Sequence, residues 1–221
     1  MHPAFSYRFR NQHLWLSPGR MIFWEEKKTL IASDLHFGKT GHFRKSGVAV
    51  PQAVYKEDLQ RLLTQIQYFQ PRQLVVVGDL FHSQLNKELD LFQRWRENFS
   101  GLEIQLVKGN HDILESQWYD QAGITVSYPE LFMQDFQFVH DISQQPAQGG
   151  QKGGYAFSGH IHPGVRISGA GKQSLCFPCF YFGKQFAVLP AFSRFTGVAL
   201  IDPEKNENVF AIVEDKILQL Q

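Results

Sequence analysis

Apolar residues fall in two different rhythms along this chain. Between about residues 51 and 99 they keep helical spacing. Leu59, Leu62, Leu63, Ile66 and Phe69 recur every third or fourth position, as do Leu89, Phe92 and Trp95. Each set makes one stripe on a helix of 3.6 residues per turn. The first helix is opened by Pro51, whose fixed φ suits an initial turn, and is ended by Pro71; the second spans about 87–99. Elsewhere the apolar residues come in short runs that read as strands. Two of these, 13–16 and 21–24, are joined by the turn signal Ser17-Pro18-Gly19. Others follow at 29–32, 74–77 and 104–107, alternating with the helices, and that alternation predicts a parallel sheet.

Beyond about residue 130 strands dominate: 131–133, 136–139, 155–157, 175–182, 186–189, 198–201, 209–213 and 216–220. The Gly- and Gln-rich stretch 144–154 reads as a surface loop. Two β-rich halves with helices imply an α/β protein of two sheets stacked face to face, helices outside, in a single domain over residues 1–221.

Composition narrows the function little. Lys and Arg number 22 against 21 Asp and Glu, so bulk charge does not select a polyanionic partner, and any nucleic-acid contact must be local. No signal-type stretch opens the chain and no 18-residue apolar run occurs, so the expectation is a cytoplasmic protein with no membrane partner. The two cysteines, Cys176 and Cys179, sit in an aromatic run; two packed thiols are expected there rather than chemistry.

The informative feature is polar. Five motifs follow predicted strands in order: Ser33-Asp34-Leu35-His36, Gly78-Asp79, Gly109-Asn110-His111-Asp112, Val139-His140 and Gly159-His160-Ile161-His162. Open α/β sheets place their sites outside the carboxyl ends of strands. Two divalent cations bridged by a carboxylate acidify a water, neutralise phosphoryl oxygens and need imidazole and oxygen ligands plus a proton donor. Asp34, Asp79, Asn110 and four histidines supply ligands, with one histidine left as acid. Gly-Asn-His-Asp arises by chance in a chain this long on the order of once in a thousand, so five such motifs in register are not packing accidents.

In this order, across residues 33–162, the motifs resemble those of the calcineurin-like metallophosphoesterase superfamily. That resemblance implies a four-layer α/β/β/α sandwich of two mixed β-sheets flanked by helices. It implies one metal on Asp34, His36, Asp79 and His162, and a second on Asp79, Asn110, His140 and His160. His111 would be the non-ligand general acid while the metal-bridged hydroxide attacks. Further stretches, Asp34-Leu35-His36-Phe37-Gly38-Lys39, His42 to Gly47, Gly78-Asp79-Leu80-Phe81-His82-Ser83, Pro178-Cys179-Phe180, Leu189-Pro190-Ala191-Phe192 and Phe195-Thr196-Gly197, resemble the PdeM-like ligase-associated DNA damage response endonucleases. These are bacterial manganese-dependent phosphodiesterases linked with a DNA ligase, a helicase and an exonuclease. The resemblance therefore implies a nuclease on DNA in repair, with Mn²⁺ as the first candidate metal and Fe, Zn, Co or Ni as alternatives. His82 would place the substrate phosphate, or else hydrogen-bond to His111.

Several alternatives stay open. Lys39, Arg44 and Lys45 either grip a backbone phosphate or form a solvated face. Arg194 either touches ligand or anchors structure. A small nucleotide or sugar-phosphate would use the same metal pair in a different pocket. A metal-binding interaction scaffold with little activity is disfavoured, because so many buried polar ligands without metal are costly.

Overall fold

The computed structural model describes residues 3–39, 47, 53–82, 87–144, 154–169 and 173–221. The first sheet has seven strands: β1 (Phe5–Phe9), β2 (Gln12–Ser17), β3 (Met21–Trp24), β4 (Thr29–Ala32), β5 (Gln73–Val77), β6 (Glu103–Val107) and β7 (Ile124–Ser127), in that spatial order. β1 to β4 are antiparallel neighbours, and β4 to β7 are parallel. Helices α1 (Ala53–Phe69), α2 (Lys87–Glu97) and α3 (Ser116–Gln121) make the three parallel crossovers. The second sheet holds β8 (Glu130–Met133), β9 (Phe136–Val139), β10 (Tyr155–Ser158), β11 (Pro163–Ser168), β12 (Ser174–Phe182), β13 (Phe186–Val188) and β14 (Ala199–Leu200). β15 (Asn208–Val213) and β16 (Lys216–Gln219) join it through β12.

The central parallel strands β4 and β5 read as continuous apolar runs because both of their faces are buried. Leu30, Ala32, Leu74, Val76, Ile104 and Leu106 join Tyr55, Leu62, Ile66, Leu89, Phe92 and Tyr119 of the helices in one core. Ile31, Val75, Val77 and Val107 point the other way. They meet Phe136, Phe138, Phe157, Phe180 and Phe182 of the second sheet in another core. The expected pair of stacked mixed sheets with flanking helices is therefore what the chain adopts. Among the described residues the α-helices all cover the first sheet; the second sheet's outer face carries a smaller apolar cluster around Val165, Val209 and Ala211. No helix among the described residues is long and apolar enough to cross a membrane.

Most predicted strands differ from the observed ones by a residue or two; among the described strands and α-helices, β1, β7, β11 and α3 are missing from the prediction. The two thiols part company. Cys179 is buried and Cys176 is exposed, so the expectation of two packed thiols holds for Cys179 alone. Burial pushes the Cys179 thiol up to about 12, which keeps it protonated and unreactive. Pro51 and most of the 144–154 stretch lie outside the described residues.

Candidate metal centre

β4, β5 and β6 are parallel and in register, so their carboxyl ends reach the same edge of the first sheet. β9, β10 and β13 are likewise parallel in the second. Hydrogen bonds between neighbouring loops tie each edge together: Asp34 N donates to Gly78 O (3.1 Å) and His36 N to Asp79 O (2.9 Å) in the first sheet, and Gly159 N to His140 O (3.1 Å) in the second. A further bond crosses between sheets, from His160 N to Asp34 Oδ2 at 3.0 Å.

Five of the polar residues at this edge have left-handed backbones: Asp34 (φ 52°), His36 (51°), Asp79 (51°), His160 (67°) and His162 (55°). That conformation costs an L-residue about 1–2 kcal/mol, with Asp, Asn and His tolerating it best. A single such residue turns the chain sharply where the strand stops. The hydrogen bonds just named over-determine the turns and hold the strain in place.

The turns gather the side chains into two groups. Asp34, His36 and His162 form one; Asp79, His140 and His160 form the other. Within each group the potential ligand atoms all lie within 4.8 Å of one another. His162 Nε2 is 3.4 Å from Asp34 Oδ1. In the second group His140 Nε2 stands 2.8 Å from Asn110 Oδ1, 3.1 Å from His160 Nδ1 and 3.6 Å from Asp79 Oδ2. The outward nitrogens have their own partners. His140 Nδ1 faces Val77 O at 3.4 Å, and His160 Nε2 faces Asp141 Oδ2 at 3.9 Å. The Val77 contact fixes the His140 tautomer and leaves its inner nitrogen free to ligate, while Asp141 only places a carboxylate near His160.

The donor set fits divalent cations on a direct observation: Asp34 Oδ1 and His36 Nε2 are buried without a hydrogen-bond partner. A buried carboxylate oxygen left this way is costly unless a cation compensates it. Burial, reinforced by Lys39 and the neighbouring histidines, pushes the His36 imidazole down to about 2. It is therefore neutral, the form that binds metal.

His111 belongs to neither group. Its backbone N–H donates to Asp79 Oδ1 at 2.9 Å, while its ring lies 4.2 Å from that of His82 and 5.6 Å from that of His36. His82 Nδ1 is 3.4 Å from His36 Nδ1. Lys39 is half-buried in the field of Asp34 and Asp79, its pKa lowered chiefly by burial. Arg194 is exposed, one residue beyond Ser193, whose N–H donates to Asp34 O. Arg44, Lys45 and His42 lie outside the described residues.

Two parts of the site were not assigned from sequence. The first is Asp112, fully buried, which accepts Phe81 N (3.0 Å) and Gly109 N (2.9 Å) and so clips the loop after β5 to the loop after β6. Burial pushes its carboxyl up to about 7 against the pull of those two donors. Its place in Gly-Asn-His-Asp was the available signal. The second is Gly78, at φ 80°, where an added Cβ would stand 1.8 Å from His140 Nδ1. Gly78→Ala is expected to displace His140 and weaken metal binding at the second group at least tenfold. Calorimetric titration with Mn²⁺ would check this; unchanged affinity would contradict the packing argument.

Comparison with known proteins agrees with this geometry. A family model described as calcineurin-like phosphoesterase matches residues 27–176, which include all five motifs. The structure is similar to that of the Pseudomonas putida nuclease MPE, with TM-score 0.81 and 25% identity over 98% of this chain and 100% of that one. The phosphoesterase YfcE of E. coli aligns at TM-score 0.45 and 14% identity, covering 87% and 97% of the two chains. No curated protein gives a significant match to the sequence. Two imidazole–carboxylate groups at the strand ends and a family match over more than half of the residues lead to one conclusion: this chain belongs to the calcineurin-like phosphoesterase family and is a metal-dependent phosphoesterase.

Proposed function

We propose that this phosphoesterase is a dinuclear-metal phosphodiesterase that cleaves DNA, with Mn²⁺ as its working metal. The observation that carries the reading is the His82–His111 pair, rings 4.2 Å apart and tilted by 33°, beside His36 of the first ligand group and Asp79 of the second. The full-length similarity to a bacterial nuclease supports it. Asp34, His36, Asp79 and His162 would hold one cation, and Asp79, Asn110, His140 and His160 the other. Bound there, the pair supplies an acidified water and a positive clamp for phosphoryl oxygens.

The chain's own residues do the rest. Asp79 is 2% exposed, and its Oδ1 is oriented by the His111 N–H, which leaves Oδ2 toward the second group. The His111 ring, free of both groups, is placed to give a proton to the departing oxygen. His82 beside it would hold a phosphoryl oxygen of the diester. Half-buried Lys39 adds positive charge where a phosphate approaches.

The test compares supercoiled plasmid with a nucleotide 5′-monophosphate under Mn²⁺. Plasmid nicking that disappears with EDTA and returns with Mn²⁺, together with slow monoester turnover, is the expected result. Efficient monoester turnover with intact plasmid would replace this reading by a small-molecule phosphoesterase. DNA binding is expected to weaken steeply with salt, because backbone phosphates rather than bases are gripped.

A further inference from the structure

The stretch that follows β13 crosses from the second sheet to the first and is held at three successive carbonyls. Arg20 Nη1 donates to Ala191 O (3.1 Å) and to Ser193 O (2.9 Å). Arg61 Nη2 donates to Phe192 O between them. The Arg61 guanidinium also lies over the Phe192 ring, 4.2 Å from its centroid, and pairs with Asp58 Oδ1 at 2.8 Å. The other side of the same stretch faces the metal centre. Phe192 N donates to Ser33 O (2.8 Å) and Ser193 N to Asp34 O (3.1 Å), and Ser33 and Ala191 form an isolated parallel bridge.

We infer that Arg20 and Arg61 are positioning residues for the metal ligand Asp34, acting through the clamped peptide 191–193. This inference rests on the metal centre proposed above. Asp34 has an unfavourable backbone conformation (φ 52°) and a buried Oδ1 that accepts no hydrogen bond. Something rigid must therefore fix its peptide. A guanidinium is planar, permanently charged and rich in donors, which suits it to holding several carbonyls at fixed angles.

Arg20 is itself delivered by a constrained turn. Its φ is 65°, its N–H bonds Ser17 O at 2.9 Å, and Ser17 Oγ ties the turn to Gln65 of α1 at 2.6 Å. Ser193 is further braced from beyond by Phe195 N on its Oγ (3.2 Å) and Thr196 Oγ1 on its O (3.1 Å). Arg20 and Arg61 touch no metal-ligand side chain. Their effect on Asp34 passes through the backbone of 191–193.

The experiment measures Mn²⁺ binding by calorimetry and by electron paramagnetic resonance on the full chain. Arg20→Lys and Arg61→Lys keep the charge but lose the fixed fork, and Asp58→Asn leaves both arginines while loosening Arg61. The expected result is a loss of about 10- to 100-fold in affinity at one of the two metal positions, with the other unchanged. The dinuclear spin-coupled signal should give way to a mononuclear one, while the circular dichroism spectrum of the metal-free protein stays that of the folded wild type, so that the loss is not unfolding. Unchanged binding in all three variants would overturn the inference, as would equal loss at both positions. Wild-type protein that takes up no Mn²⁺ would instead overturn the metal-centre reading beneath it. If a lysine variant fails to fold, the Asp58→Asn result decides.

Discussion

Replacing Asp79 by Asn is expected to empty both metal positions and to slow phosphodiester hydrolysis by about 10³-fold or more, since a metal pair supplies several kcal/mol of transition-state stabilisation. The carboxylate is 2% exposed, with Oδ1 on the His111 N–H and Oδ2 3.6 Å from His140 Nε2. Its environment already opposes charge: burial raises its pKa, while His140 and the His111 N–H pull the other way. In the proposed centre an amide of the same shape would remove the charge that compensates two cations. It also turns an NH₂ toward either an N–H donor or an imidazole that should be a ligand. His36→Ala should behave differently, because His36 belongs to the first group alone; one metal should remain. Elemental analysis of the purified variants separates the two cases. Full dinuclear occupancy in the Asn variant would contradict the bridging role.

The second large effect is expected at His111, and it should be selective for substrate. His111→Ala leaves the backbone N–H on Asp79 Oδ1 intact and removes a ring that belongs to neither ligand group. Both metals and the fold should therefore persist. Turnover of diesters with poor leaving groups should fall by about 10²- to 10⁴-fold, the usual contribution of a general acid. With a nitrophenyl diester the loss should shrink, because that oxygen leaves without a proton. Equal slowing of both substrates, or loss of metal, would assign the proton to another group. His82, whose ring lies 4.2 Å from that of His111, is the first residue to examine in that event.

Much of the architecture was legible because burial on two faces leaves a plain trace. β4 and β5 read as unbroken apolar runs, β6 as a run broken only by Gln105, and α1 and α2 as single stripes, since each pattern follows from which faces meet a core. The omissions have separate causes. Phe5, Tyr7 and Phe9 of β1 alternate in period two and pack on Phe182 and Phe210; that signal was present and went unused. Pro163-Gly164 at the start of β11 carries turn residues, so local chemistry pointed away from a strand that its neighbours β12 and β14 nevertheless pair with. α3 is six residues long, too short to show a period.

For the site, ligand chemistry was written into the chain itself. Carboxylate, amide and imidazole at the ends of apolar runs name the atoms, and the motif order names the family. What no local pattern contains is how those atoms come together. Asp34 and His162 are 128 positions apart in the sequence, yet their side chains stand 3.4 Å apart, because parallel strands from two stacked sheets end at the same edge. The left-handed turns at Asp34, His36, Asp79, His160 and His162 are strained conformations that Asp and His tolerate better than most residues but do not favour by themselves, and hydrogen bonds from neighbouring loops hold them. The same is true of Asp112 clipping two loops and of Arg20 reaching carbonyls at 191 and 193. Local sequence determined the elements and the donor atoms. Long-range packing decided the angles and distances, because only the assembled sheets bring the partners that offset the strain.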